Sequence, residues 1–206
     1  MTNESADFNS SRLGQIMLAG TEEIIGQTGM QKLFHLVQHS SPSQSSAPVK
    51  PTASLSDVGS IQLALEEAFG LRGGRGVSLR AGRSSFKYIL HQYGESLGLT
   101  RLAFRLLPAP ARLKSGLATL AGWFSDLSQG VVSVEVVPNA WLWKMERCPL
   151  CRGRHSDEPV CTYAVGLIQE FMTWAAGGRI YQVQEVDCQA MGYSACIVQI
   201  DGRPLD

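Results

Sequence analysis

The first 147 residues contain no cysteine, and all five cysteines of the chain fall between Cys148 and Cys196. A disulfide framework spread along the chain is therefore excluded. Neither sign of charge is in excess, since Lys+Arg and Asp+Glu both number 18 of the 206 residues. No global field draws the chain to nucleic acid or to an anionic membrane. No apolar run reaches the ~18–20 residues of a membrane span. The opening Met1-Thr2-Asn3-Glu4 is polar and acidic, without the basic and apolar stretches of a secretory signal, so a cytoplasmic location is expected. The four histidines, His35, His39, His91 and His155, lack ligand-type spacing. No Ser-His-Asp set, phosphate-binding loop, paired-carboxylate signature or dinucleotide fingerprint stands out, so an enzyme would need a borrowed cofactor.

What is present suits one domain with a sizeable core: 44% of residues are hydrophobic and 17% charged. Residues 1–10 are polar and read as a disordered tail, with a single domain over 11–206. Leu13, Ile16, Met17, Gly20 and Ile24 recur at helical spacing. The Ser/Pro-rich stretch 40–54 buries nothing and reads as a flexible loop. Beyond it, Asp57 is a candidate cap for a second helix with the stripe Val58, Ile61, Leu65 and Phe69. Arg72-Gly73-Gly74-Arg75-Gly76 is expected to break that helix, either as a flexible turn or as an anion cradle. A third helix shows Leu79, Phe86, Leu90, Tyr93 and Leu97, and a fourth Leu113, Leu117, Leu120, Phe124 and Leu127.

The period then changes to two. Val132, Val134 and Val136 alternate with polar residues, Pro138-Asn139 makes a turn, and Trp141, Trp143 and Met145 continue the alternation. A loop with Cys148-Pro149-Leu150-Cys151 follows. Ser156-Asp157-Glu158-Pro159 signals the start of a fifth helix, which Gly177-Gly178 stops. Strands are expected over Ile180–Asp187 and Ala195–Ile200, with a turn around Gly192. Two hairpins separated by a helix, after a block of helices, predict an α+β fold with an antiparallel sheet.

Cys161, Cys188, Cys196 and Glu185 offer three thiolates and a carboxylate, enough for a four-coordinate zinc shell. Cys161 falls at the start of a helix, where free N–H groups favour a thiolate. Cys188 and Cys196 lie at the two ends of a hairpin turn. Glu185 precedes Cys188 by three residues, and in a regular strand the two would face opposite sides, so the strand must twist or end near Val186. Cys148 and Cys151 form a second thiol pair, open to pairing with Cys188 and Cys196, with Cys161 and His155, or to redox chemistry. Buried inert cysteines are the bland alternative.

The runs Glu146 to Arg154, Asp157 to Cys161, Val165-Gly166-Leu167, Gly177-Gly178 and Glu185 to Cys196 together resemble the 4-vinyl reductase (4VR) domain. The resemblance is strongest over about the last 70 residues and continues more weakly through Ala81-Gly82-Arg83. It implies a fold similar to TRAPP transport-complex subunits: helices on a four-stranded antiparallel sheet, in a homodimer. It implies a binder of small hydrophobic or aromatic molecules, acting as sensor or carrier. It also implies zinc held at the positions of Cys161, Glu185, Cys188 and Cys196. The chain departs from the family at Gly192-Tyr193, where Gly-Asp is common, and no activator module accompanies the domain. Phe124, Trp141, Trp143, Phe171 and Trp174 are the expected ligand-lining residues, around a pocket of roughly 300–1,000 Å³. Two other functions are an enzyme or accessory factor in tetrapyrrole vinyl reduction, and a ligand-free scaffold subunit.

Overall fold

In a computed structural model, residues 4–39, 58–128 and 130–205 are described, with side chains from Arg12 onward apart from residues 37–39. The expected loop 40–54 and the candidate cap Asp57 lie outside the described residues. The order is α1 (Glu4–His39), α2 (Val58–Tyr93), α3 (Leu102–Arg105), α4 (Ala109–Ser128), β1 (Val131–Val137), β2 (Ala140–Glu146), α5 (Thr162–Ala175), β3 (Tyr181–Asp187), a 3-10 turn (Gln189–Met191) and β4 (Cys196–Pro204). The four strands form one antiparallel sheet in the order β1-β2-β4-β3. The expected α+β architecture of helices on a four-stranded antiparallel sheet is what the chain adopts. Helical backbone begins at Glu4, inside the stretch expected to be a tail.

The alternation in the strands decides which sheet face is covered. Val134, Trp143, Val198 and Glu185 stand opposite one another across the four strands, and Val132, Met145 and Cys196 form the next row. Residues directly opposite in an antiparallel ladder share a face. That face lies against α4 and α5, whose stripes Leu113, Leu117, Leu120, Phe124, Leu127 and Leu167, Ile168, Phe171 are buried.

Sequence expectation and structure differ in the second and fifth helices. Arg72–Gly76 does not break α2; those residues are helical, and the interruption is Gly70 alone, at φ 72° and ψ 162°. A side chain at that φ is disfavoured, so glycine locates the bend. Beyond the bend the helix folds back on itself. A Cβ on Gly74 would come within 2.4 Å of Glu66 Cα, although eight residues of straight helix would separate them by about 12 Å. The fifth helix starts at Thr162 rather than near Pro159, with Cys161 as its N-cap residue. The preceding carbonyl, Val160 O, accepts a hydrogen bond from Gln62 Nε2 of α2, which fixes Val160 outside the helix.

At the crossing of α2 and α5 the two backbones come into close contact. A Cβ on Gly82 would lie 2.1 Å from Tyr163 O, and one on Gly166 would lie 1.9 Å from Leu79 O. Both helices use glycine where the other's backbone passes, so neither can shift without a clash with main chain. We expect Gly166→Ala to lower stability by more than about 2 kcal/mol, since overpacking against backbone has no soft neighbour to move. Gly122→Ala on α4, with nothing within 4 Å of its new Cβ, should raise it by roughly 0.5–1 kcal/mol through helix propensity. Urea denaturation of the two variants gives both values, and equal midpoints would remove the α2–α5 crossing as a constraint.

Candidate metal centre and adjoining cavity

All five cysteines are buried, each at most 2% exposed, and none is in a disulfide. They arrive from four segments: Cys148 and Cys151 from the loop after β2, Cys161 from the N-cap of α5, Cys188 just after β3, and Cys196 from the start of β4. Cys161 Sγ lies 3.9 Å from Cys188 Sγ and 3.8 Å from Cys196 Sγ, and Cys188 to Cys196 is 3.9 Å. Sulfurs each about 2.3 Å from a tetrahedral zinc are about 3.8 Å apart. The three sulfurs therefore already form one face of such a tetrahedron.

Glu185 completes the set. It is 5% exposed. Its Oε2 accepts the Cys161 N–H at 2.7 Å, while Oε1 is buried with no hydrogen-bond partner among the described residues. An orphaned buried carboxylate oxygen beside three thiols is what a cation ligand looks like before the cation is added. The strand geometry that would separate Glu185 from Cys188 is answered by a bulge. Glu185 pairs with Val198, yet Asp187 pairs with Ile197, so Val186 is an extra residue in β3. One inserted residue reverses the alternation beyond it. Glu185 and Cys188 thus face the same side, and Val186 is 39% exposed.

Cys148 and Cys151 join the same cluster. Cys148 Sγ is 3.6 Å from Cys161 Sγ, and Cys151 Sγ is 3.3 Å from Cys196 Sγ. Two groups of four donors result, Cys161-Glu185-Cys188-Cys196 and Cys148-Cys151-Cys161-Cys196, each with its ligand atoms within 4.8 Å of one another. His155 belongs to neither group. Gln189, whose role the sequence did not reveal, ties the parts together. Its side-chain oxygen accepts the Cys148 N–H at 2.7 Å, its backbone N–H donates to Cys196 Sγ at 3.2 Å, and its Nε2 donates to Ser194 O at 2.9 Å. Only its place in the three-residue turn between the two hairpin cysteines could have pointed to it.

The electrostatics favour neutralisation. Loss of solvent, and then the neighbouring Cys188 sulfur, push the Glu185 carboxyl up to about 8. Hydrogen bonds from Cys148, then Cys161, Cys188 and Cys196 hold Cys151 well below the usual thiol range, and the contacts with Cys148 and Cys151 push Cys161 and Cys196 up. Few of these groups can be charged together unless a cation joins them.

A cavity adjoins the centre, walled by Leu13 of α1, Phe124 and Ser128 of α4, Val132, Trp143 and Met145 of the sheet, Tyr163 and the next turns of α5, and Pro149-Leu150. Of the five expected lining residues, Phe124 and Trp143 are there. Trp141 instead meets Tyr181 edge-on at 6.4 Å, Trp174 stacks on Phe104 at 5.9 Å, and Phe171 packs edge-on against Phe86 at 5.7 Å. The expected size is also corrected. The cavity is about 30 Å³, room for about two waters, because Phe124 and Trp143 meet edge-on at 6.0 Å across it. Counting its open mouth, the atom-free space is about 410 Å³. Trp143 Nε1 is buried with no hydrogen-bond partner among the described residues. Burial keeps the Tyr163 phenol protonated, against a weaker pull from Ser85. The remaining lining, Leu13, Val132, Leu167 and Ile168, comes from elements far apart in sequence and carried no signal as a group.

The segment of α2 around the kink is tied to the cysteine-bearing loop by two ion pairs. Arg75 pairs with Glu158 at 2.6 Å, and the buried Glu66 pairs with Arg154 at 2.5 Å, so α2 grips the cysteine-bearing loop on both sides of Gly70.

Residues 141–201 match the model of the 4-vinyl reductase (4VR) domain family, so the expected resemblance holds over that segment. No curated protein matches the chain. Solved structures with a similar fold include an H-NOX protein from S. oneidensis in its Fe(II)NO state, with TM-score 0.58 and 13% identity over 93% of this chain and 98% of that one. A second is the Fe(II) unliganded H-NOX protein from K. algicida, with TM-score 0.52 and 10% identity over 91% and 95%. A third is a heme protein with a distorted porphyrin, with TM-score 0.53 and 15% identity over 94% and 96%. At such identities the likeness concerns the fold. Of the histidines with described side chains, His35, His91 and His155, none lines the cavity, whose residues leave no room for a porphyrin. Among the described residues no helix is long and apolar enough to cross a membrane.

The raised Glu185 value gives a pH dependence for metal-stripped protein. Folding favours the protonated carboxyl, so this stabilisation is present below about 4.5 and is lost as pH rises to about 8. With chelator present, wild-type protein should lose stability relative to Glu185→Gln between pH 5 and 8, by on the order of a few kcal/mol. Parallel melting curves across that range would show that the carboxyl titrates normally.

Proposed function

We propose that this chain is a ligand-sensing or ligand-carrying domain with a structural zinc held by Cys161, Glu185, Cys188 and Cys196. The observation that carries the metal is the triangle of sulfurs at 3.8, 3.9 and 3.9 Å with the unpartnered Glu185 Oε1 beside it. In that site the four side chains would complete a closed tetrahedral shell, and the ion would supply folding free energy rather than chemistry. The 4VR family match over residues 141–201, which spans all four donors, supports the same set.

The ligand reading rests on the apolar cavity and the unpaired indole N–H of Trp143. A small planar ring with one hydrogen-bond acceptor fits that chemistry, with its face against Phe124 and its acceptor on Trp143 Nε1. Its entry needs the Pro149-Leu150 wall to move outward, since about 30 Å³ does not hold a ring as it stands. The cavity described is too small for a tetrapyrrole, the substrate class of the other small-molecule function. The same small cavity supports the scaffold reading, in which no ligand enters. A homodimer in a cytoplasmic setting belongs to the same proposal, and light scattering that returns 22.4 kDa at micromolar concentration would remove the dimer.

Two experiments test this. Zinc-loaded protein should lose melting temperature on chelation, and Cys188→Ala should do the same without chelator; protein equally heat-stable with and without chelator would remove the structural metal. A panel of one-ring aromatics should raise the melting temperature by mass action. Trp143→Phe should weaken an aryl aldehyde or phenol by about tenfold, the value of one hydrogen bond, and leave an alkylbenzene of the same size unchanged. If no compound shifts the melting point of wild-type protein, the scaffold reading takes over.

A further inference from the structure

We propose that the cysteine cluster is a binuclear centre: two divalent d10 ions of the zinc class share Cys161 and Cys196 as bridging thiolates. The first ion is the one proposed above, so this inference rests on that reading. The second is held by Cys148 and Cys151 on the far side of the shared pair.

The geometry that points to it is the overlap of the two donor groups. Cys161 and Cys196 belong to both, and each group brings its ligand atoms within 4.8 Å of one another. The shared edge, Cys161 to Cys196, is 3.8 Å, matching the edge of about 3.8 Å that two tetrahedra of zinc ligands would have in common. Beyond it, Cys148 is 3.6 Å from Cys161 and Cys151 is 3.3 Å from Cys196. The Cys-x2-Cys spacing is that of a chelating knuckle. Both of its sulfurs are buried, at 1% and 2% exposure, against the bridging pair. A single ion on the first group would leave two buried thiols touching its thiolates with nothing to bind.

Charge favours the second ion. It brings two positive charges against the two thiolates of Cys148 and Cys151, so the pair and its ion are neutral together. Both thiolates then have a cation in a place where isolated charge is costly. The Gln189 N–H donates to the bridging Cys196 Sγ at 3.2 Å and suits a sulfur that carries negative charge.

The second ion also has a consequence for the cavity. Pro149 and Leu150, between the two knuckle cysteines, form one cavity wall. The ion would fix both ends of that wall, so occupancy of the second position sets how readily the cavity opens.

The test is the number of ions. Full-length protein loaded anaerobically with zinc and desalted should carry two ions per chain by native mass spectrometry and elemental analysis. The Cys148→Ser/Cys151→Ser double variant should carry one. Cadmium-113 substitution of the wild type should give two resonances coupled to each other through the shared sulfurs. This arm needs no variant, so it holds even if the double variant fails to fold. One ion per chain in wild type overturns the binuclear centre and leaves the structural zinc standing, whereas no ion removes both. Two uncoupled cadmium resonances would mean separate sites and would overturn the bridging thiolates.

Discussion

Everything in the C-terminal half turns on bringing five sulfurs and one carboxylate into a space without water. The six groups come from the loop after β2, the N-cap of α5, the bulged end of β3 and the start of β4. The sheet ladder joins the ends of β2 and β3 to the start of β4, and Ser156 N–H donates to Ala190 O at 2.9 Å. Otherwise Glu185 and Gln189 connect them through side-chain hydrogen bonds to the backbone of Cys161 and Cys148. The convergence of the sulfurs sets the mutual position of the two hairpins' connecting segments, and the hydrogen bonds around it are arranged to serve it.

The helical half holds this arrangement in place through one element. Along α2, Gln62 meets Val160 O, Glu66 meets Arg154, Arg75 meets Glu158, and Gly82 meets the backbone of Tyr163. A straight helix would spread Glu66 and Arg75 along its length. The fold-back at Gly70 presents both to the same loop. The Glu66–Arg154 pair is buried, so removing one partner would strand the other's charge. Four contacts of different kinds thus fix residues 154–163 from outside while the sulfurs fix them from inside.

The cysteine cluster and the cavity are two sides of one short stretch. In Cys148-Pro149-Leu150-Cys151 the cysteines point to the cluster and the residues between them line the cavity. Tyr163, two residues after Cys161, lines it as well. A change in packing on one side has a short, covalent route to the other. Through that route the proposed ligand and metal sites would report on each other.

The α+β class, the two hairpins with their inward rows, the stripe of α4 and the grouping of Cys161, Glu185, Cys188 and Cys196 were legible in the sequence. They follow from local rules: period two against period three to four, turn residues at Pro138-Asn139, and cysteine clustering. Phe124 and Trp143 were legible as lining residues for the same reason, each standing on an inward stripe. Trp141, Phe171 and Trp174 stand on equally apolar stripes but face other neighbours, and period alone carries no information about which neighbour. The continuity of α2 through Arg72–Gly76 was decided by tertiary contact, because Gly74 is needed small against Glu66 rather than as a breaker. The fate of Cys148 and Cys151, open in the sequence, was decided when Gln189 and the β3–β4 turn brought them to Cys161 and Cys196. The side on which Cys188 faces was decided by a single extra residue, Val186. Alternation along a strand is a local property that a sequence displays, but a bulge exists only relative to the strand beside it, so its register is set by pairing with β4 and by nothing within β3 itself.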